Sequence, residues 1–287
     1  MFWKTTRHLI DLSKPRVMGI VNLTPDSFSD GGHLSPEGAG LRHCERLISE
    51  GADMLDIGGE STRPGAQPIT PEEEWHRVRP VLMHALTLGV PMSLDTRHAP
   101  VMQRGLDLGV DIINDVMALR GPQSLQKVAA HPSAGVCLMH MQGTPATMQR
   151  DPSYDDVVAE VLSFLGSRVS DAVAAGIERS RLVIDPGYGF GKTLQHNLQL
   201  AQHQAQLLQL GVPLLAGWSR KGTLGHLTGR PVEDRMIASV AAALAAVAAG
   251  ARIVRVHDVS ATVDALKVWA ALSPTQAKET MGEGGRI

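Results

Sequence analysis

Short apolar runs recur along the whole chain, at 17–21, 54–57, 90–94, 110–113, 135–139, 181–184, 212–216 and 252–256. Runs this short and this apolar are the pattern of strands buried on both faces of a parallel sheet. Stretches with helical spacing separate them. Segment 37–50 sets Cys44, Leu47 and Ile48 on one face. Thr70-Pro71-Glu72-Glu73 predicts a capping box with proline in the first turn, and Trp75, Val78, Leu82 and Leu86 follow at helical intervals. Segment 154–176 carries Val157, Val161, Phe164 and Leu165 along one side, and 233–249 and 260–272 complete the series. Strand and helix alternating in this way predict parallel strands joined by helical crossovers. Their number and spacing match an α/β chain folded as a (β/α)8 TIM barrel, with an open doubly wound sheet as the alternative. A single barrel domain is expected over 16–272. Residues 1–15 are expected to cap it from below, and 273–287 to form a frayed polar tail.

Each run ends in polar side chains. In order they are Asn22; Gly58 to Gly65; Asp95-Thr96; Asn114-Asp115; His140 to Gly143; Asp185-Pro186-Gly187; Ser219-Arg220-Lys221-Gly222; and His257-Asp258. Any one Asp or Asn here could simply cap the next helix. Polar residues at every strand end instead point to the face where barrels place their chemistry.

Composition narrows the classes. The 287 residues are 43% hydrophobic and 20% charged, with a net charge of −2 and no basic block, which argues against a nucleic-acid partner. Cys44 and Cys137 lie far apart in core-like patterns, as expected for reduced thiols in a reducing compartment. No secretion signal is evident at the start. The alanine-rich stretch 236–253 is short for a bilayer and bracketed by Arg235 and Arg252, so a packed helix is expected rather than a membrane span. A soluble, cytoplasmic protein is the expectation, with the small residues of 236–249 as the surface of a homodimer.

Asp95, Asn114 and Asp185 stand at three strand ends and can converge on one ligand. Two carboxylates and an amide suit a flat, nitrogen-rich heterocycle, whose amidine-like edge offers paired N–H donors. An all-oxygen cation cage is the alternative. Arg63, Lys221, Arg255 and His257 supply positive charge, and Arg255 and His257 alternate along one strand so as to face the same way. Together with the loop leading into the next helix they predict a phosphate or pyrophosphate site, the alternative being structural ion pairing. Asn22 beside such a site would hold Mg²⁺, which usually keeps water and few protein ligands. Phosphate, cation and planar ring suggest ionisation of an activated pyrophosphate, with Asp95 and Asp185 stabilising positive charge on the ring. No Ser-His-Asp order, Cys-His pair or zinc spacing is present. A Schiff base on Lys221 is a further alternative.

Asn22-Leu-Thr-Pro-Asp-Ser-Phe-Ser-Asp-Gly-Gly and Asp56-Ile-Gly-Gly-Glu-Ser-Thr-Arg-Pro-Gly closely resemble two signature loops of the dihydropteroate synthase family. Asp95-Thr96, Ile112-Ile-Asn-Asp, Leu138-Met-His-Met-Gln-Gly, Asp185-Pro-Gly-Tyr-Gly-Phe-Gly-Lys, Ser219-Arg-Lys and Arg255-Val-His-Asp extend the likeness over about residues 8–272. The resemblance implies a transferase of folate biosynthesis. It would join 6-hydroxymethyl-7,8-dihydropterin diphosphate to p-aminobenzoate with Mg²⁺, through a dissociative pterin cation, releasing pyrophosphate. It further implies that Asp95, Asn114, Met139, Asp185 and Lys221 bind the pterin, and that Asp95, Asp185, Lys221 and Arg63 carry catalysis. Asn22 would bind Mg²⁺ and, with Thr62, Arg63, Arg255 and His257, the diphosphate. Phe28, Thr62, Arg63, Pro64, Phe190, Ser219 and Gly222 would frame the p-aminobenzoate pocket. Loops 23–37 and 59–70 would close over both substrates and exclude water.

One position departs from the family pattern. Many relatives carry Ser after the Ser-Arg-Lys triplet, where Gly222 stands here. A backbone N–H at a helix start can still bind the benzoate carboxylate, and Ser219 or Thr223 are candidate substitutes for the lost hydroxyl. No insertion beside Phe190 suggests a pocket remodelled against sulfonamides, so inhibition by them is expected. Methyl transfer from a pterin to a corrinoid is a competing reading, but it leaves Arg255 and His257 without a diphosphate. A silent pterin-binding paralogue would be expected to lose Asn22, Arg63 or Lys221, and all three are present.

Overall fold

The computed structural model describes residues 1–24, 36–62 and 65–272. Phe28, Arg63, Pro64, most of loop 23–37 and the tail 273–287 lie outside the described residues. The chain begins with a hairpin, β1 (Phe2–Lys4) and β2 (Leu9–Asp11), and then enters β3 (Arg16–Asn22), α1 (Pro36–Ser49), β4 (Met54–Gly58) and α2 (Pro71–Ala85). Next come β5 (Met92–Asp95), α3 (Ala99–Leu108), β6 (Ile112–Asp115), α4 (Ser124–Ala130), β7 (Gly135–Met139) and α5 (Val157–Ala174). The series ends with β8 (Leu182–Asp185), α6 (Leu194–Gln202), β9 (Leu215–Ala216), α7 (Gly222–Thr228), α8 (Met236–Ala248), β10 (Ile253–Val256) and α9 (Val259–Leu272). Strands β3 to β10 pair in parallel with their sequence neighbours, β10 returns to β3, and a single parallel bridge between Ile184 and Leu214 joins β8 to β9. The result is the expected (β/α)8 barrel; the strand-order reversal of a doubly wound sheet is absent.

Strands β5, β6, β8, β9 and β10 open one to three residues after their apolar runs, and at β5 and β9 a proline contributes. Pro91 and Pro213 have no N–H to give the ladder, so β5 opens at Met92 and β9 at Leu215, while the two proline carbonyls still accept from Leu55 and Ile184. At α2, Thr70 accepts from the Glu73 N–H as a cap should, but the Glu73 carboxylate turns to Arg77 instead of back to Thr70. Helix α5 begins three residues after the predicted start, because Asp156 caps it and Tyr154 is engaged elsewhere, donating to the Gly191 carbonyl.

Alternation along the strands divides the core. Outward residues such as Val17, Leu55, Leu94 and Ile184 meet the helices in one continuous apolar layer. Inward residues Met18, Met54, Ile112, Cys137, Val183 and Leu215 fill the lower lumen and pack on Trp3 and Ile10 of the hairpin. Trp3 is fully buried and donates its indole N–H to the Arg181 carbonyl at 2.8 Å. With its lower end filled, the lumen is open to ligand only at the C-terminal ends of the strands. Cys44 and Cys137 are both buried and unpaired. Among the described residues no helix is long and apolar enough to cross a membrane.

Candidate active site

Continuing upward, the inward positions change from apolar to polar. Asp56, Asp95, Asn114, Asp185 and Arg255 come from five strands and share one end of the lumen. Arg255 is the hub: Nε donates to Asp56 Oδ2 at 2.6 Å and Nη2 to Asp95 Oδ2 at 2.8 Å. Asn114 Nδ2 donates to the same Asp56 oxygen at 3.0 Å, which leaves its side-chain oxygen outside that bond. Asp56 is fully buried and its second oxygen has no partner. Burial and the adjacent Asp56 carboxylate push Asp95 up to about 8, against the pull of Arg255. The Arg255 guanidinium, held by two carboxylates, stays charged. Structural ion pairing, the alternative to an anion site for Arg255, is therefore present.

Across the lumen, Asp185 receives the Gly187 N–H on Oδ1 at 2.7 Å, and burial raises its pKa despite that bond. The chain then turns through Gly187, Gly189 and Gly191, all at positive φ. Glycine is required at Gly187, where a Cβ would run into the His140 carbonyl oxygen. This turn presents the Phe190 ring to Lys221, whose Nζ lies 3.9 Å from the ring centroid. Burial and Arg255 lower Lys221 to about 8, with Asp185 and Asp95 opposing. Phe190 also packs with Met139, Met141 and Met148, so one wall of the cleft is sulfur-rich and apolar.

The third side holds the remaining expected residues. Among the described residues no carboxylate pairs with His257; its Nδ1 and backbone N–H both lie on Ser219 Oγ, at 2.9 and 3.1 Å. Burial and the neighbouring Arg255 and Arg220 hold it neutral, down to about 3. Ser219 is thus committed to His257, which weakens it as a substitute for a hydroxyl at position 222. Gly222 opens α7, and a Cβ there would meet open space, so the position has room for a side chain that this chain lacks. Thr223 lines the cleft from the same turn. Asn22 and Thr62 line the same cleft as Arg255 and His257. The whole cleft encloses about 1580 Å³, ample for two small substrates.

Several strand-end residues serve the scaffold instead. Asp115 accepts from the Met117 and Leu119 N–H groups, Thr96 bonds Glu74, and His140 bonds Lys192. Asp258 grips Arg220 through two oxygens at 2.6 and 3.1 Å, fixing a residue at φ +58 just before Lys221. Glu60 and Arg97 pair at 2.7 and 2.8 Å and anchor the loop that carries Thr62. No site role follows from the sequence for Asp56, Lys192 or Arg220. The available signal for Asp56 is a carboxylate inside the apolar run 54–57, since a lone charge at an inward strand position needs a partner.

A family model described as pterin binding enzyme matches residues 18–257. A dihydropteroate synthase from Neisseria meningitidis serogroup B is 56% identical over 276 residues, covering 94% of this chain and 97% of its own. A Xanthomonas albilineans dihydropteroate synthase solved with 4-aminobenzoic acid superposes with a TM-score of 0.89 at 50% identity, covering 95% of this chain and 98% of its own. A Yersinia pestis dihydropteroate synthase solved with a sulfonamide drug complex gives a TM-score of 0.89 at 43% identity, covering 98% of this chain and 100% of its own. Sequence, barrel and the polar lumen agree, and the chain belongs to the dihydropteroate synthase family of pterin-binding transferases.

Proposed function

We propose that this chain condenses 6-hydroxymethyl-7,8-dihydropterin diphosphate with p-aminobenzoate by a dissociative route assisted by Mg²⁺. The observation that carries the reading is the convergence of Asp95, Asn114, Asp185 and Lys221 on one cleft that also holds Arg255, His257 and Phe190. Asp95, Asp185 and the Asn114 carbonyl offer acceptors to the N–H edge of the pterin, Lys221 offers donors to its oxygen and ring nitrogen, and Met139 lies against its face. As the bond between the exocyclic methylene carbon and the diphosphate oxygen breaks, the positive charge that develops on the ring faces buried carboxylates. The p-aminobenzoate nitrogen then bonds to that carbon, its surplus proton passes to water or to the departing pyrophosphate, and pyrophosphate leaves. Phe190 and the Lys221 stem form one wall for the benzoate ring, and the start of α7 receives its carboxylate. The family resemblance assigns Phe28, Thr62, Arg63 and Pro64 to the same pocket, and Asn22, Arg63 and His257 to the diphosphate.

The residues suit Mg²⁺ of a particular kind. Among the described residues no group of His, Cys, Asp and Glu forms a metal cage. Asn22 brings an amide oxygen to the cleft and makes no side-chain hydrogen bond with the described residues. That fits a cation carried mainly by phosphate oxygens and water. When bound, it would neutralise the leaving diphosphate. The test is pyrophosphate release from purified protein given both substrates, with and without Mg²⁺. Release that needs Mg²⁺ and is blocked competitively by a sulfonamide supports the reading; no release above background with Mg²⁺ present overturns it.

We also propose a homodimer through α8 and α9, which pack together. Ile237 on α8 is 79% exposed and Val268 on α9 is 59% exposed, a large apolar display for a free surface. Sedimentation should show a dimer, and Ile237→Asp should weaken it at least tenfold. A wild-type monomer at micromolar concentration would refute this.

A further inference from the structure

Lys192 is almost fully buried, and among the described residues its ammonium forms no ion pair with a carboxylate. A buried ammonium without a counter-ion is costly unless its donors are satisfied. Here all three are: Nζ donates to His140 Nδ1 at 2.9 Å, to the Gly187 carbonyl at 3.0 Å and to the Phe190 carbonyl at 3.1 Å. The two carbonyls belong to one tight turn, already closed by the Phe190 N–H on the Gly187 carbonyl at 3.0 Å. Beyond that turn the Phe190 ring faces Lys221 Nζ. His140, the third acceptor, sits at the end of β7 directly after Met139.

We infer that Lys192 is a positioning residue: by clamping the Gly187 and Phe190 carbonyls to His140, it sets the Phe190 ring at the angle that p-aminobenzoate requires. The inference rests on the reading of Phe190 as a wall of the p-aminobenzoate pocket. The clamp does not depend on charge. Burial lowers Lys192 to about 7, with Asp185 opposing and Lys221 adding to the shift. A neutral amine keeps two N–H groups for the two carbonyls, and its lone pair can accept from His140 once that neutral ring carries its proton on Nδ1. His140 itself stays neutral, because burial, Lys192 and Arg120 all disfavour a second proton.

The test is a kinetic cycle on the intact protein. Lys192→Met should raise KM for p-aminobenzoate at least tenfold. Calorimetric affinity for 6-hydroxymethylpterin should change less than threefold, because Asp95, Asn114 and Asp185 remain in place. Lys192→Gln, one bond shorter but still a two-hydrogen donor, should recover most of the loss. Phe190→Ala added to Lys192→Met should cost little more, since both act on the same ring. A KM within twofold of wild type, parallel losses of both affinities together with Tm, or full additivity with Phe190→Ala would each overturn the inference. Should Lys192→Met fail to fold, the cycle of Lys192→Gln with Phe190→Ala decides the question by the same additivity criterion. A wild-type protein that releases no pyrophosphate would remove the proposed reaction instead, a result distinguishable from any of these.

Discussion

Asp95→Asn is expected to weaken pterin binding by roughly two orders of magnitude, the scale of one lost hydrogen bond to a charged group together with a disturbed ion pair. The geometry explains why so small a change matters. Asp95 Oδ2 is occupied by Arg255 Nη2 at 2.8 Å, leaving Oδ1 for the ligand. An asparagine must point its NH2 either at the guanidinium or at the N–H edge of the pterin, and both are donors. One contact is lost in either rotamer. Titration calorimetry with 6-hydroxymethylpterin measures it, and an unchanged affinity would remove Asp95 from the pocket. A pH signature accompanies the loss. Burial and Asp56 push Asp95 up to about 8, and N–H donors from the ligand favour its ionised form. Binding therefore releases a proton near neutrality, and affinity rises from pH 6 towards pH 8. In Asp95→Asn that slope should be shallower.

Arg255→Met is expected to cost about 3–5 kcal/mol of stability, the range for removing one partner of a buried ion pair. Asp56 is fully buried, and one of its oxygens already lacks a partner. Without Arg255 only the Asn114 amide would remain to it. The carboxylate must then take up a proton or draw water into the lumen. Urea unfolding measures the loss, and a change below 1 kcal/mol would refute the structural weight given to this pair. Adding Asp56→Asn should restore part of the stability, because the stranded charge is gone. It should not restore turnover, since Asp95 would still lack the guanidinium that holds it.

Asp56 and Arg255 also mark where the sequence stops being legible. They are separated by 199 positions, and neither periodicity nor motif spacing can join them. Side-chain type and strand phase direct Arg255 towards an anion, and the phase is correct. Its charge is nevertheless already engaged by Asp56 and Asp95, so any role towards diphosphate must be shared with that structural duty. Ser219 is similar: a candidate hydroxyl for the benzoate, it is taken by His257. His140 stands at a strand end among the chemical residues but turns to Lys192. In each case the residue type is readable and the partner is not.

The apolar runs determined the strands, their parallel order and which end of the barrel would be polar, because a strand buried on both faces cannot hide its composition. Only the tertiary structure decided which polar side chains satisfy one another and which remain for ligand. That division depends on distances between strands far apart in sequence, set when the sheet closes around its lumen. It turned a row of polar strand ends into a charged hub at Arg255, a clamp at Lys192 and an open edge at Asp95, Asn114 and Asp185.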